Sequence, residues 1–262
     1  MTEIQSTLCE IRGGAAWITL NRPDNRNALS AGLVNELHAH LIEANLNPDV
    51  RVIVITGAGP AFCAGADLKN PPGSAPSHGG RVIGLPEVLT AILESEKPVI
   101  AAVNGAAFAG GLGLVGAADI CVTVEDAPFS FSEVRIGVIP AIISVVCIPK
   151  LGVANATKLF LTGERFTGAD AVRLGLVHQA TPADQLVPAV QAIIDMIALG
   201  GPNAVRECKK LVRRISTLSL TDGFAEAAPW SVSLFRSEEG AEGMKAFREK
   251  RKPAWVTSGE GG

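Results

Sequence analysis

The stretch Asn104 to Asp119 reads NGAAFAGGLGLVGAAD, and it constrains the fold more than any other part of the 262-residue chain. The apolar run Pro98 to Val103 precedes it and reads as a buried strand. Gly110, Gly111 and Gly113 then open a segment of small and apolar residues that reads as helical. A strand that runs into a Gly-Gly turn at a helix N-terminus lets a ligand approach the backbone and aims free N–H groups at it. The positive end of the helix dipole adds to the pull on any oxygen that gains negative charge. The Gly110 N–H is therefore a candidate for half of an oxyanion hole.

Composition narrows the field. Apolar residues make up 47% and charged residues 19%, as expected of a globular chain with a sizeable core. The net charge is −3 with no long basic run, so no nucleic-acid surface is expected. The start, MTEIQSTLCEIRGG, has neither a basic n-region nor an apolar h-region, so no signal peptide is expected. No uninterrupted apolar stretch reaches about 18 residues, which argues against a membrane span. Five scattered cysteines without a CxxC pair fit a reducing cytoplasm and suggest no metal site.

Taken in order, Ala15 to Leu20 reads as a strand and Asn21-Arg22-Pro23 as a turn. Ser30 is a plausible N-cap for a helix to about Asn45, with Leu33, Leu37 and Leu41 on one face. Val50 to Thr56 is a β-branched strand. Ala61 to Lys69, AFCAGADLK, is a small-residue loop leading to a possible helix, and Asn70 to Gly80 is a Pro/Gly/Ser-rich surface loop. Leu85 to Glu96 reads as helix, Asp119 to Val124 and Phe129 to Phe131 as strands. A helix starts near Pro140, and Asn155 to Leu161 is helical. Leu174 to His178 reads as a strand and Pro182 to Leu199 as a helix. Gly200-Gly201-Pro202 breaks the pattern, and helices are predicted over Asn203 to Ser216, Thr221 to Leu234 and Ser237 to Lys250. The alternation argues for an α/β core over residues 1–200 and a helical region over 201–262.

Two glycine-bearing loops follow two buried strands, ending in Ala64-Gly65-Ala66-Asp67 and Ala109-Gly110-Gly111. The Ala66 and Gly110 N–H groups could converge on one oxygen, or both loops could be plain strand–helix turns. Neither is a dinucleotide or P-loop fingerprint. Glu133, in FSFSEVRIGVIP, is a candidate general base. A partly buried carboxylate there would have a raised pKa suited to proton transfer, or it could pair with Arg135 two residues on. Asp119 and Asp126 are alternatives. No G-x-S-x-G elbow is present.

These residues resemble the crotonase, or enoyl-CoA hydratase/isomerase, superfamily over nearly the whole chain. The resemblance rests on NRPDNRNAL at Asn21 to Leu29, AFCAGADLK at Ala61 to Lys69 and KPVIAAVNGAAFAGGLGL at Lys97 to Leu114. It continues through SEVRIGVIP at Ser132 to Pro140, LTGERFTGADAVRLGLV at Leu161 to Val177 and FREKRKPAW at Phe247 to Trp255. It implies a spiral of ββα units with a C-terminal helical trimerisation region, a homotrimer or dimer of trimers, and an acyl-CoA thioester substrate. No cofactor is implied beyond the CoA that the substrate carries. The oxyanion donors fall on Ala66 and Gly110. Arg26, Ala28, Ala64, Asp67 and Leu68 would line the CoA site, and the helix after Pro140 the acyl pocket. Lys250 is similar to a residue that reaches CoA phosphate, often from a neighbouring subunit; it could equally be an exposed basic tail.

One departure stands out. Typical hydratases of this family carry two glutamates that hold one water. The second falls on Glu133, but the first falls on Gly113. The resemblance therefore leaves an enoyl-CoA hydratase working with Glu133 alone, with a single-base enoyl-CoA isomerase as the alternative. A hydrolase and a non-catalytic CoA-binding relative stand behind these. The SEVRIGVIPAIIS block resembles branched-chain hydratases whose substrates bring their own carboxylate, which the missing side chain could make room for.

Overall fold

The computed structural model describes residues 5–69 and 83–256; the loop expected at Asn70 to Gly80 lies outside them. The chain opens with a hairpin, β1 (Thr7–Arg12) and β2 (Ala15–Leu20), and a helix, α1 (Ala31–Leu46). Ser30 caps α1 by accepting from Leu33 N, and Leu33, Leu37 and Leu41 are buried.

A unit of strand, short strand and helix then repeats. Its turns are β3 (Val52–Gly57), β4 (Ala61–Cys63) and α2 (Leu85–Glu94); β5 (Val99–Val103), β6 (Ala106–Phe108) and α3 (Gly110–Ala117); and β7 (Ile120–Val124), β8 (Pro128–Ser130) and α4 (Ala141–Thr162). β9 (Phe166–Thr167), α5 (Gly168–Arg173), β10 (Gln179–Thr181) and α6 (Leu186–Ala198) come next, then α7 (Pro202–Ile215), α8 (Leu220–Phe235) and α9 (Glu238–Glu249).

Each turn of the spiral gives one strand to each of two sheets. The first sheet runs β1-β2-β3-β5-β7-β10, parallel except for the β1–β2 hairpin. The second runs β4-β6-β8-β9, with β4, β6 and β8 parallel. The apolar runs of β3 and β5 are buried along almost their full length, as strands covered on both faces require.

Two expectations are corrected. No helix forms over 64–69; β4 passes into a turn. The strand expected at Leu174 to His178 lies instead at Gln179–Thr181, where it pairs with β7. Leu176 and Val177 are buried, but both their N–H groups bond the Ala171 carbonyl, so they close a turn after α5. Ala141–Thr162 is long and apolar enough to cross a membrane by length and composition alone. It is two helices meeting at a kink at Gly152 (φ 70), and it buries Ile143, Val146, Cys147, Leu151, Ala156 and Leu159 in the core.

The helices after Gly200 are tied back by polar contacts. Lys209 on α7 is nearly enclosed. Its Nζ lies 2.7 Å from Asp119 and donates to the carbonyls of Ile92 and Lys97. Arg213 also reaches Asp119, at 3.1 Å. Asp119 itself accepts from Val99 N at the start of β5. Thus Asp119, a weak candidate base in the sequence, is a structural tie. Lys209→Ala removes one cation from a partly buried acid and orphans two carbonyls, so it is expected to lower unfolding free energy by about 3 kcal/mol. Urea denaturation measures this, and Lys209→Met, which keeps the stem, should recover little of it.

Candidate active site

Because β4, β6 and β8 are parallel neighbours, the segments that leave their C-terminal ends are neighbours too. Cys63 pairs with Ala107, and Phe108 with Ser130. The first strand continues into Ala64 to Asp67, the second into Ala109-Gly110, and the third into Phe131 to Glu133. Three stretches far apart in sequence therefore meet at one edge of a small sheet.

Two backbone donors stand out there. Leu29 and Ala66 form an isolated parallel bridge, with Leu29 N donating to Gly65 O (2.7 Å) and Asp67 N to Leu29 O (3.3 Å). In such a bridge the bonds use the residues on either side of Ala66, so the Ala66 N–H points the other way. Gly110 is the first residue of α3, and its N–H is one of the donors a helix leaves free. Gly65 (φ 89) lets the two loops touch. A Cβ there would lie 2.9 Å from Ala109 Cβ and 3.3 Å from Gly110 N. Ala109, just before α3, has φ 46 and ψ −120, a strained conformation for a residue with a side chain.

The Asn21–Leu29 motif packs behind the first loop. Arg26 (φ 55) and Asn27 (φ 56) are both left-handed. Asn27 is fully buried and donates to the Ala58 and Ala61 carbonyls while accepting from Arg22 N. Arg26 O accepts from Ala64 N (2.9 Å). Arg22 reaches Ala28 O and, at 3.5 Å, the Asp67 carboxylate. Arg26, Ala28, Ala64, Ala66 and Asp67 are thus gathered around one loop. Leu68 is exposed beside them, and buried Pro140 forms the N-cap of α4. Lys250 stands apart, exposed at the left-handed C-cap of α9, its side chain without a polar partner among the described residues. Asn27, Arg22 and Ala109 lie inside matched motifs, but the motifs do not single them out from their neighbours. Asn tolerates the left-handed region, which is the available signal for Asn27.

Glu133 does not sit on a strand beside Arg135. It opens a turn of 3₁₀ helix, Glu133–Ile136, closed by Gly137 at φ 78. Arg135 turns away to the carbonyls of Gly163 and Thr162. This leaves Glu133 half-buried, with its Oε2 buried and unpartnered among the described residues. Burial raises its pKa above the ordinary carboxylate range, against a smaller opposing pull from its own backbone N–H. Below it, the Cys147 thiol is pushed up to about 12, chiefly by burial and slightly by the Glu133 charge.

Gly113, where the resemblance places the first glutamate, is closely packed. A Cβ on Gly113 would lie 2.5 Å from Ile143 Cγ2 and 3.6 Å from Leu89 Cδ1. Ile143, on the first turn of α4, is 2% exposed. Hydrocarbon therefore faces α3 at Gly113. Nothing in the pattern of α4 marks Ile143 for this place.

Among proteins of known sequence, the model of the family described as enoyl-CoA hydratase/isomerase matches residues 10–258. The carnitinyl-CoA dehydratase of Proteus mirabilis is 35% identical over 96% of this chain and 98% of its own. The peroxisomal Delta(3,5)-Delta(2,4)-dienoyl-CoA isomerase of Arabidopsis thaliana is 34% identical over 91% of each. The crystal structure of an enoyl-CoA hydratase from Mycobacterium smegmatis superposes with a TM-score of 0.88 at 31% identity, covering 96% of this chain and 99% of that one. The chain belongs to the enoyl-CoA hydratase/isomerase family and has the crotonase fold, a spiral of ββα turns followed by C-terminal helices.

The strain and the burial each have a measurable outcome. Ala109→Gly relieves the positive φ and is expected to raise stability by about 1 kcal/mol in urea denaturation. A carboxyl whose folded pKa is raised loses stability as pH climbs through its unfolded and then its folded pKa. Glu133→Gln should therefore match the wild type in melting temperature in acid and exceed it at neutral pH. Scanning calorimetry across that range checks the sign.

Proposed function

We propose that this protein is an acyl-CoA hydro-lyase of the enoyl-CoA hydratase type, with Glu133 as its single acid/base. One juxtaposition supports the reading: the free Ala66 and Gly110 N–H groups and the unpaired Glu133 leave the same edge of the second sheet. The thioester carbonyl oxygen sits between the two N–H groups. Glu133 takes a proton from water as the water oxygen adds to C3. Negative charge moves onto the thioester oxygen, where each donor contributes roughly 3–4 kcal/mol to the barrier reduction. The protonated Glu133 then returns the proton to C2, and dehydration runs the same steps backwards. Residues Arg26, Ala28, Ala64, Asp67 and Leu68 form the CoA side of the site, Gly113 and Pro140 belong to its acyl side, and no cofactor is needed. The relatives named dehydratase and hydratase support this class of reaction.

A second reading, enoyl-CoA isomerisation, is favoured by one observation. Ile143 and Leu89 make the side facing Gly113 apolar, and a proton shuttle between C2 and C4 needs no water there. The relative named dienoyl-CoA isomerase is of equal standing by identity. The apolar wall also favours an acyl group without charge at that point. In the proposed assembly, residues 1–200 form the catalytic core, 201–262 form the trimerisation region, and Lys250 reaches CoA phosphate across the subunit boundary.

Crotonyl-CoA, a 3-enoyl-CoA and 3-methylglutaconyl-CoA, each incubated in heavy-oxygen water, separate the readings. Label at C3 is expected. A moved double bond without label means an isomerase, and label in a released free acid means a hydrolase. Glu133→Gln should lower kcat by about 10²–10⁴-fold. Undiminished turnover by that variant would exclude Glu133 as the base in either reading.

A further inference from the structure

Glu133 stands on a single short turn, and that turn has little to hold it. Gly137 N and Val138 N bond the Glu133 carbonyl, and Arg135 N bonds Ser132 O. One turn of 3₁₀ helix is weak by itself. The residues from Val134 to Ile139 are exposed, so burial anchors them little. The firm attachment comes from side chains on either side of Glu133. Arg135 Nε donates to Gly163 O at 3.0 Å, and its Nη2 donates to Thr162 O at 3.2 Å. Three residues before Glu133, Ser130 Oγ donates to the same Gly163 oxygen at 3.0 Å. Glu133 is thus bracketed by two side chains that share one carbonyl.

We propose that Arg135 is a positioning residue for Glu133: its guanidinium staples the turn to the C-terminal end of α4 and sets where the carboxylate stands relative to the oxyanion donors. The proposal rests on Glu133 being the base. The acceptors suit a cation, because the last carbonyls of a helix are unbonded and sit at the negative end of its dipole. Gly163 is shaped for the contact. It caps α4 at φ 56, and a Cβ on it would lie 3.1 Å from Arg135 Nε and 3.2 Å from Val134 Cγ1. The kink at Gly152 is what makes the reach possible. A straight helix of this length would carry its end about 33 Å from its start, far from a turn only a few residues upstream. Engagement at the carbonyls also keeps Arg135 from neutralising Glu133.

Two measurements on the full chain test this. Amide hydrogen exchange of the free protein, read on peptides covering 131–140, assumes nothing about the reaction. Arg135→Ala should speed exchange at Gly137 and Val138 about tenfold or more, with the β3 and β5 peptides unchanged. Turnover of crotonyl-CoA, a 3-enoyl-CoA and 3-methylglutaconyl-CoA reads the consequence. Arg135→Ala should lower kcat about 10- to 100-fold with KM within about threefold, because a displacement near 1 Å is enough. Arg135→Lys should recover part of kcat, and so should guanidinium ion added to Arg135→Ala. Gly163→Ala, which pushes on the staple from its other side, should act in the same direction, and the double variant should be no worse than the worse single one. Unchanged exchange, or faster exchange with unchanged kcat, overturns the proposal. Equal turnover by the wild type and Glu133→Gln removes the base itself, and the positioning role with it; an inactive Glu133→Gln beside a fully active Arg135→Ala removes only the role of Arg135.

Discussion

The first turn of α3 lies directly on the backbone of β4, and nothing larger than a hydrogen fits between them. A Cβ on Gly111 would be 2.4 Å from the Cys63 carbonyl oxygen. This approach brings the helix N-terminus beside the loop that leaves β4, and so brings the Gly110 N–H beside that of Ala66. It has a cost, carried by Ala109 in its strained conformation at the junction. Such strain persists where surrounding contacts over-determine the backbone. Here the Ala109 N–H is fixed to Ser130 O, and Leu112 N returns to the Ala109 carbonyl.

The two halves of the site obey different physics. The proposed oxyanion donors are backbone groups held by glycine contacts and strand register; they do not titrate and have no side chain to lose. Glu133 is the opposite case. In its proposed role as base it relies on being half-buried with Oε2 unpartnered among the described residues, which raises its pKa towards the range useful for proton transfer. The cation two residues along the chain has other work. Arg135 closes the end of α4 instead of pairing with Glu133.

Gly113 is paired with Ile143 across α3 and α4, and a Cβ at Gly113 would meet packed hydrocarbon. Placing a side chain at Gly113 would require Ile143 to move, and α4 carries Ile143 within a well-filled core.

The sequence by itself determined the family, the order of most helices and strands, the Gly-Gly turn before α3, and Glu133 as the candidate base. These are properties of contiguous residues: periodicity, glycine placement and motifs. It left β4 and β6 unread, because short runs of small residues beside glycines read as loops, and it placed the strand after α5 too early, because Leu176 and Val177 are apolar but bonded as a turn. Only the tertiary structure decided which groups meet. The register of β4, β6 and β8 stacks the three loops, the left-handed Asn27 bridges two segments behind them, and the kink at Gly152 returns the end of α4 to Arg135. Those contacts join residues far apart in the chain. Their geometry depends on how whole elements pack, which no local pattern of residue types encodes.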